Sequence, residues 1–301
     1  MKQLLCATFE GIDAKTVEVQ FTATKGLPAF TIVGMVNTAI NESKERVKSA
    51  LLGNSFVFPP KRLTVNLAPS DLRKEGSHFD LPIAVLIALG SFEGDLTKWY
   101  VFGELGLDGT VTENSLLYPI ILSLANQGVI KQAIVPKTSI AKLSKIPGIA
   151  FYGVNTLSET LDILRAQTLP PAAANTSEFS FHHIRHNEIK YYYDENYPLD
   201  FNDIKGQEHA KRSALIAAAG MHNLLLEGSP GSGKSMIAKR LRHIMPPLHN
   251  DELLECAKLE ILEGKEPSFT PVRPFRSPHH SSTGASIFGG GTHKADRKSV
   301  V

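Results

Sequence analysis

The hydrophobic and polar positions at the start of the chain alternate in a way that predicts strands. Residues 16–24 set Val17, Val19 and Phe21 against polar neighbours, which is the period of two expected of a strand with one buried face. Residues 38–52 change to a helical period, with apolar side chains on one face. The same criteria predict further strands at residues 3–9, 29–34 and 63–67.

Strands and helices then take turns along the chain. The elements predicted in this stretch are a helix from about residue 80, a strand and turn after residue 100, a helix over 115–127, a strand over 132–135, a helix after Pro136, a strand over 149–154 and a helix over 156–165. Such alternation is typical of a mixed α/β domain. We therefore predict that residues 1–166 form a first α/β domain with one hydrophobic core.

The composition changes between residues 167 and 200, where prolines, small residues and polar residues show no sustained period. We predict a linker there. His182, His183 and His186 raise the alternative of a metal site, but the segment offers no predicted scaffold and no carboxylate pattern around the imidazoles. Residues 191–193, three tyrosines, are predicted to pack the linker onto a domain.

A second domain is predicted over residues 201–301, and it contains the strongest motif of the chain. An apolar run at 224–226 leads into GSPGSGKS at 228–235, and an amphipathic helical pattern follows. This is the G-x-x-x-x-G-K-[ST] phosphate loop in the order strand, loop, helix. The alternative, an ordinary turn rich in glycine and serine, does not account for the full pattern in that context.

The residue types of this loop indicate the binding of a nucleoside triphosphate. Glycines let backbone N–H groups turn towards a chain of phosphates, Lys234 supplies positive charge for the β- and γ-phosphates, and the Ser235 hydroxyl can ligate Mg²⁺. The predicted nucleotide-binding residues are Gly228, Ser229, Pro230, Gly231, Ser232, Gly233, Lys234 and Ser235.

Composition and charge limit the classes of partner. The 301 residues carry 32 basic and 30 acidic side chains, so any surface for nucleic acid has to be local. Cys6 and Cys256 are far apart and have no metal-ligand spacing, which favours a reducing compartment. The apolar run 81–90 is too short to span a bilayer. The apolar stretch at the start of the chain is too short for the core of a signal peptide. We expect a cytoplasmic protein with no membrane partner.

A basic segment punctuated by prolines contains Arg273, Arg276, His279 and His280. On residue types alone, a surface loop and a loop that contacts phosphates are equally compatible with it. An acidic pair, Asp251-Glu252, follows prolines instead of an apolar strand, so we do not expect it to be the acidic motif that positions Mg²⁺.

Two blocks of the chain resemble one family. The second half, through DIKGQ, GSPGSGKS, RPFRSPHH and GGG, resembles the ATPase module of the magnesium-chelatase-like AAA+ proteins of the ComM/YifB competence-protein family. The first half matches the leading domain of that family through FTIVGMVNTAINESKERVKSAL and RKEGSHFDLPIA. The resemblance implies a Lon-protease-like (ribosomal S5 domain 2-like) α/β domain followed by a P-loop AAA+ α/β domain.

The same resemblance implies function. ATP and Mg²⁺ become the expected cofactors, and the intact protein is expected to form a hexameric ring that acts on DNA, by branch migration during natural transformation. Arg273, Arg276, His279 and His280 would then belong to an insert that faces DNA or the pore of the ring. The alternative is a chelatase-like remodeller of a protein or metallocofactor complex, which also uses ATP.

Lon proteases use a serine and a lysine as a catalytic dyad. In the resembling loop of this chain His78 stands at the nucleophile position, Ser77 comes one residue early, and Tyr118 stands where the lysine is expected. We therefore predict no catalytic residue in the first domain and no peptidase activity, since a shared fold does not carry the chemistry with it.

In the family, an apolar strand ending in Asp-Glu follows the GGG segment. This chain departs from the pattern after Gly291 and has THKADRKSVV instead. The expectation is an incomplete ATPase domain, from a truncation or a frameshift, that binds ATP but hydrolyses it poorly. An inactive fragment encoded by a damaged gene is a further alternative.

Overall fold

A computed structural model of the chain describes residues 2–90, 92, 94–176, 179–279 and 281–282. Its strands are β1 (Lys2–Glu10), β2 (Asp13–Thr24), β3 (Ala29–Val33), β4 (Arg62–Ala68), β5 (Tyr100–Val101), β6 (Glu104–Leu105), β7 (Val111–Thr112), β8 (Gln132–Pro136), β9 (Ala150–Val154), β10 (His182–His186), β11 (Ile189–Tyr193) and β12 (Leu248–His249). Its α-helices are α1 (Thr38–Gly53), α2 (Asp80–Ala88), α3 (Leu117–Asn126), α4 (Ile140–Leu143), α5 (Leu157–Arg165), α6 (Glu208–Gly220), α7 (Lys234–Ile244) and α8 (Asn250–Leu262).

The first part of the chain is built around a seven-stranded mixed sheet in the order β3-β4-β2-β1-β5-β8-β9. Strands β1, β2 and β4 pair antiparallel, whereas β5, β8 and β9 continue from β1 as parallel neighbours. The parallel strands alternate with helices along the chain, as the sequence pattern indicated. The predicted mixed α/β fold is confirmed.

Strand β2 shows why the alternating pattern was informative. Val17, Val19 and Phe21 are all buried, and the polar residues between them lie on the other face. Helix α2 gives the opposite case, because every residue from Asp80 to Ile87 is buried and the helix has no polar face. A helix that is apolar all round lies inside a core.

The segment 167–200, predicted to be a linker, contains an ordered hairpin. Strands β10 and β11 pair antiparallel around Asn187 and Glu188, whose φ angles of 47° and 64° fit a tight two-residue turn. Tyr192 is buried and meets the Phe179 ring edge-on, at 5.4 Å between centroids. The sequence pattern missed the hairpin because β10 is exposed throughout and has no apolar face.

Helix α8 packs on the first part of the chain, although it belongs by sequence to the predicted second domain. It contacts α3, and its buried side chains Leu253, Leu254 and Ala257 are part of the first hydrophobic core. Strand β12, directly before it, pairs antiparallel with β11. The first core therefore extends past residue 201, where the sequence pattern places the domain boundary.

The residues around the phosphate loop have a small core of their own. It consists of Ile204, Ala214 and Ile237, with partly buried apolar neighbours from α6, α7 and the loop before them. Among the described residues, no helix is both long enough and apolar enough to cross a lipid bilayer.

Candidate nucleotide-binding site

The loop GSPGSGKS connects an extended segment to the N-terminus of α7, which begins at Lys234. Gly231 and Gly233 have φ angles of 81° and 89°, and a Cβ added at either would meet no atom within 4 Å. Glycine is required here by the backbone conformation, and the space around both residues is open. The start of α7 adds the partial positive charge of a helix N-terminus.

Lys234 turns back over the loop that precedes it. Its ammonium donates hydrogen bonds to the carbonyls of Gly228 and Ser229, both at 2.7 Å, and to the Ser232 hydroxyl at 3.2 Å. The backbone N–H of Ser232 donates to the carbonyl of Ser229 at 3.3 Å, which closes a turn inside the loop. The lysine charge therefore lies within the curve of the loop, the place where a phosphate chain is expected.

The donor set of the loop fits a nucleotide with Mg²⁺. A phosphate chain requires backbone N–H groups at a helix N-terminus, a cation, and a hydroxyl beside them for the metal. The loop supplies the start of α7, the ammonium of Lys234 and the exposed hydroxyl-bearing residue Ser235. All eight residues predicted for the site lie together in this one turn.

The predicted strand before the loop is not formed. Leu224, Leu225 and Leu226 have no strand pairing in the described part of the chain, and Leu225 is 88% exposed. A strand exists only when its backbone N–H and C=O groups find a neighbouring strand, and the apolar pattern of a single segment cannot supply that neighbour. Leu224 and Leu226 still pack against the small core.

Two contacts that the sequence pattern did not reveal hold the loop in place. Arg240, on α7, is nearly buried and donates to the carbonyl of Asp200 at 2.8 Å and to the Asp203 carboxylate at 2.9 Å. This hydrogen bond lowers the pKa of Asp203 below its ordinary value. Gln207 donates to the carbonyl of Ser232 at 3.5 Å. The DIKGQ motif, residues 203–207, therefore contacts both the loop and its helix.

The basic segment at 273–280 is largely tied to the protein. Arg273 donates to the Pro246 carbonyl at 2.8 Å and lies 3.3 Å and 3.4 Å from the two carboxylate oxygens of Glu252, and its side chain is only 16% exposed. Arg276 forms an ion pair with Glu263 and is 34% exposed. The His279 ring and the Ser281 hydroxyl are 2.7 Å apart.

His280, predicted to belong to the same segment, lies outside the described residues, as do the GGG segment and the tail. The acidic residue Glu252, besides binding Arg273, accepts a hydrogen bond from the backbone N–H of His249 at 3.1 Å. Helix α8 thus begins at Asn250, directly after His249.

The three positions compared with a protease dyad are occupied by other contacts. Ser77 donates to the Glu104 carboxylate and accepts from Asn114 at 3.1 Å. The imidazole of His78 is fully buried, and the Tyr118 phenol donates to the backbone carbonyl of Leu254 at 3.4 Å. Within the described part of the chain, the side-chain partners of the Ser77 hydroxyl are thus Glu104 and Asn114 instead of His78 or Tyr118.

Two family models match the chain, one over each half. Subunit ChlI of Mg-chelatase matches residues 17–139, and the model described as magnesium chelatase, subunit ChlI, matches residues 200–299. The second match includes the phosphate loop. Both matches indicate an ATP-binding AAA+ protein, for which a nucleotide and Mg²⁺ are the implied cofactors.

Several proteins are similar over most of the chain. Competence protein ComM of Haemophilus influenzae is 38% identical over 288 residues, which are 94% of this chain and 54% of ComM. The uncharacterized protein YifB of Escherichia coli is 34% identical over 288 residues, covering 93% of this chain and 53% of YifB. An uncharacterized protein of Mycobacterium tuberculosis is 32% identical over 291 residues, covering 95% and 55%.

The chain therefore spans about half the length of these relatives. The two family models match successive parts of the chain, residues 17–139 and then residues 200–299, which include the phosphate loop. On this ground the chain belongs to the magnesium-chelatase ChlI-like family that includes the ComM and YifB proteins.

Proposed function

We propose that this chain binds ATP with Mg²⁺ through residues 228–235, as the nucleotide-binding part of an AAA+ protein. The observation that carries the proposal is the position of the Lys234 ammonium, inside the curve of the loop and 2.7 Å from two of its carbonyls. Those carbonyls hold the cation where phosphate oxygens would replace them as its partners.

Each part of the loop has a role in binding. The left-handed glycines Gly231 and Gly233 keep the backbone clear of the phosphates, and the first N–H groups of α7 donate to them. Lys234 neutralises phosphate charge, and the Ser235 hydroxyl would ligate Mg²⁺. Bound Mg²⁺ would supply charge neutralisation between the phosphates. Arg240 orients α7 by binding Asp200 and Asp203, so it is a positioning residue.

The test is a thermal unfolding titration of the full chain with Mg-ATP. A ligand that binds only the folded state raises the unfolding temperature as its concentration rises. We expect that rise for the unmodified chain and no rise for Lys234→Ala. Lys239→Ala, on the exposed face of the same helix, is the matched control and keeps the rise. A rise that persists unchanged in Lys234→Ala, or no rise in the unmodified chain, contradicts the proposal.

A second proposal concerns DNA, and a specific surface favours it. Arg242, Lys265, Arg273 and Arg276 line one cavity of about 270 Å³ beside α8, together with the acidic residues Glu260 and Glu263. Four cations against two carboxylates leave a positive surface that suits a phosphate backbone. The similar protein from Haemophilus influenzae is named as a competence protein, which agrees with a DNA substrate.

The contacts that Arg273 makes within the protein alter the set of residues that we expect to contact DNA. Arg273 is held by Glu252 and the Pro246 carbonyl, so we expect it to shape the cavity, and we expect Arg242 and Arg276 to meet phosphates. Binding of duplex DNA, measured at several salt concentrations, should lose about one unit of slope for each phosphate-contacting arginine replaced by alanine. An unchanged slope in the double variant Arg242→Ala/Arg276→Ala rules this surface out.

Two further features, assembly and location, belong to the same proposal, and one competing role remains. Assembly into a hexameric ring is expected of an AAA+ protein and is tested by the mass of the full chain with and without Mg-ATP. A cytoplasmic location is supported by the free thiols of Cys6 and Cys256. The competing role, remodelling of a protein or metallocofactor complex, predicts ATP binding with no salt-dependent affinity for DNA.

A further inference from the structure

An aromatic cluster joins three separate parts of the chain. We call Tyr118, Lys145, Phe179, Tyr192 and Phe269 the aromatic clasp. The Phe269 ring meets the edge of Tyr118 at 5.8 Å and lies 6.0 Å from Phe179, between ring centroids. The Lys145 ammonium sits over both Phe179 and Phe269, at 5.0 Å and 5.1 Å from their centroids. Cation–π contacts and edge-to-face pairs are favourable beyond simple burial.

Phe269 holds this position with a strained backbone. Its φ angle is 48°, in the left-handed region that bulky side chains rarely adopt. Such strain persists only where the surroundings fix it, and segments that switch between two arrangements often contain it. Here the surroundings are the rings and the ammonium of the aromatic clasp.

The part of the segment before Phe269, residues 264–268, is held by polar contacts at the surface. Lys142 pairs with Glu266 at 3.0 Å, but the Glu266 side chain is 85% exposed. Ser268 donates to the Glu260 carboxylate from both its backbone N–H and its hydroxyl, and this pair is exposed as well. Exposed ion pairs contribute little to stability. Phe269 is therefore the apolar residue that ties this segment to Tyr118 and Lys145 of the first domain, whereas the buried Pro271 lies at the far end of the segment, two residues before Arg273.

The segment also has room to move and a hinge. A cavity of about 250 Å³ lies between it and the first domain, lined on one side by Tyr118 and Lys142 and on the other by Gly264, Glu266 and Pro267. Gly264, where the segment leaves α8, has a φ angle of 79°. A loosely packed, polar segment with a glycine at its start opens at low free-energy cost.

We propose that residues 264–272 form a latch that the first domain holds closed through Phe269, and that opens without unfolding either half of the chain. The latch controls how firmly the phosphate-loop part is attached. Arg273 follows it directly and binds both the Pro246 carbonyl, just after α7, and Glu252 at the start of α8. An open latch loosens these contacts and frees the junction between the two helices.

Hydrogen exchange of the full chain tests this inference independently of nucleotide binding. The reporters are the backbone amides of Lys265 and Ser268, which donate to Glu260 inside the latch, and of His249, which donates to Glu252 at the junction. In the Phe269→Ala variant these amides should exchange at least about tenfold faster than in the unmodified chain, because the anchor is lost. The amides of β1 and β2 should not change.

Two further variants make the result decisive. Phe275→Ala, which removes a partly exposed phenylalanine outside the clasp, should leave all these amides unchanged. Lys145→Met keeps the apolar stem and removes the cation, so it should speed exchange in the latch by a smaller factor, and it answers the question if Phe269→Ala does not fold. Equal exchange in every variant, or faster exchange spread equally over β1 and β2, overturns the proposal.

Discussion

The phenol of Tyr118 on α3 donates a hydrogen bond to the backbone carbonyl of Leu254 on α8, at 3.4 Å. Burial raises the pKa of Tyr118, and the phenol stays neutral at any physiological pH. Leu254 itself is buried among the residues of the first core. A residue that the sequence assigns to the second domain therefore contributes to the stability of the first.

Replacing Leu254 should test this directly. Leu254→Ala removes a buried side chain and leaves a cavity, so we expect a loss of about 2–5 kcal/mol in the free energy of unfolding. Denaturant unfolding followed by the fluorescence of Trp99, which is buried in the first domain, provides the measurement. Leu215→Ala, on an exposed position of α6, should change it little. Equal effects of the two variants would mean that α8 does not belong to the first core.

The partly exposed Arg46 and the buried Asp80 form an ion pair between α1 and α2, with the Nε of Arg46 2.6 Å from a carboxylate oxygen. Ser43 donates to the same carboxylate. Burial raises the pKa of Asp80, and the hydrogen bonds from Arg46 and Ser43 counteract part of that rise. Arg46→Met should lower the free energy of unfolding by about 3–5 kcal/mol, since it leaves the buried charge of Asp80 without its partner.

The double variant Arg46→Met/Asp80→Asn supplies the control for that prediction. Removing the charge of Asp80 as well should restore part of the lost stability, measured by urea unfolding at neutral pH. If the double variant is as unstable as the sum of the two single variants, the pair does not interact as the geometry indicates.

His78 should make the protein less stable in acid. Its Nε2 lies 2.8 Å from the Ala7 carbonyl, to which it donates, and burial lowers its pKa to about 4. The unfolded chain protonates the same ring at about pH 6.5, so it binds more protons than the folded chain between these values. The contribution of the neutral His78 to the free energy of unfolding is therefore complete above about pH 6.5. It falls by about 3 kcal/mol as the pH drops to 4.

The variant His78→Gln separates this contribution from that of other groups, because glutamine does not titrate and can still donate to Ala7. The difference in unfolding free energy between the unmodified chain and His78→Gln should change with pH over this window. His209→Gln, at an exposed position of α6, is the control. A difference that stays constant from pH 7 to pH 4 would contradict the lowered pKa.

Gly233→Ala should impair the phosphate loop selectively. An alanine at its φ of 89° is strained by about 1–2 kcal/mol, and the loop can relieve that strain only by changing shape. We expect the Mg-ATP-dependent rise in unfolding temperature to shrink or vanish. Gly148 has a similar φ of 78° and equally open surroundings in the first domain. Gly148→Ala should therefore lower the free energy of unfolding without changing the Mg-ATP-dependent rise in unfolding temperature.

The sequence alone was sufficient where a local pattern determines the structure. The alternation in β2, the apolar run of α2 and the helix after the phosphate-loop motif each depend on a few neighbouring residues, and each lies in the expected place. Most helix ends also agree to within a few residues. The residues proposed for the nucleotide site could be named from the sequence because a phosphate loop needs a fixed spacing within eight consecutive positions.

Features that depend on distant partners could not be predicted in this way. Residues 224–226 have the composition of a strand, but pairing depends on a neighbour that the local pattern does not show. The partners of Arg240 and Arg273 lie 40 and 27 positions away for their backbone contacts, at Asp200 and Pro246. The pairing of Tyr192 with Leu248 is equally invisible in composition, since it joins a segment taken for a linker to a two-residue strand.

That pairing of β11 with β12 has a topological consequence. The chain leaves the three-stranded sheet after Tyr193 and returns to it at Leu248, on the adjacent strand. Residues 194–247, which include the phosphate loop, therefore form an insertion. Its two ends adjoin neighbouring strands of one sheet, as the ends of a domain inserted into another domain do. A hairpin turn of about two to five residues would be enough to join β11 to β12 if residues 194–247 were removed, so the three-stranded sheet does not need the phosphate-loop part in order to form.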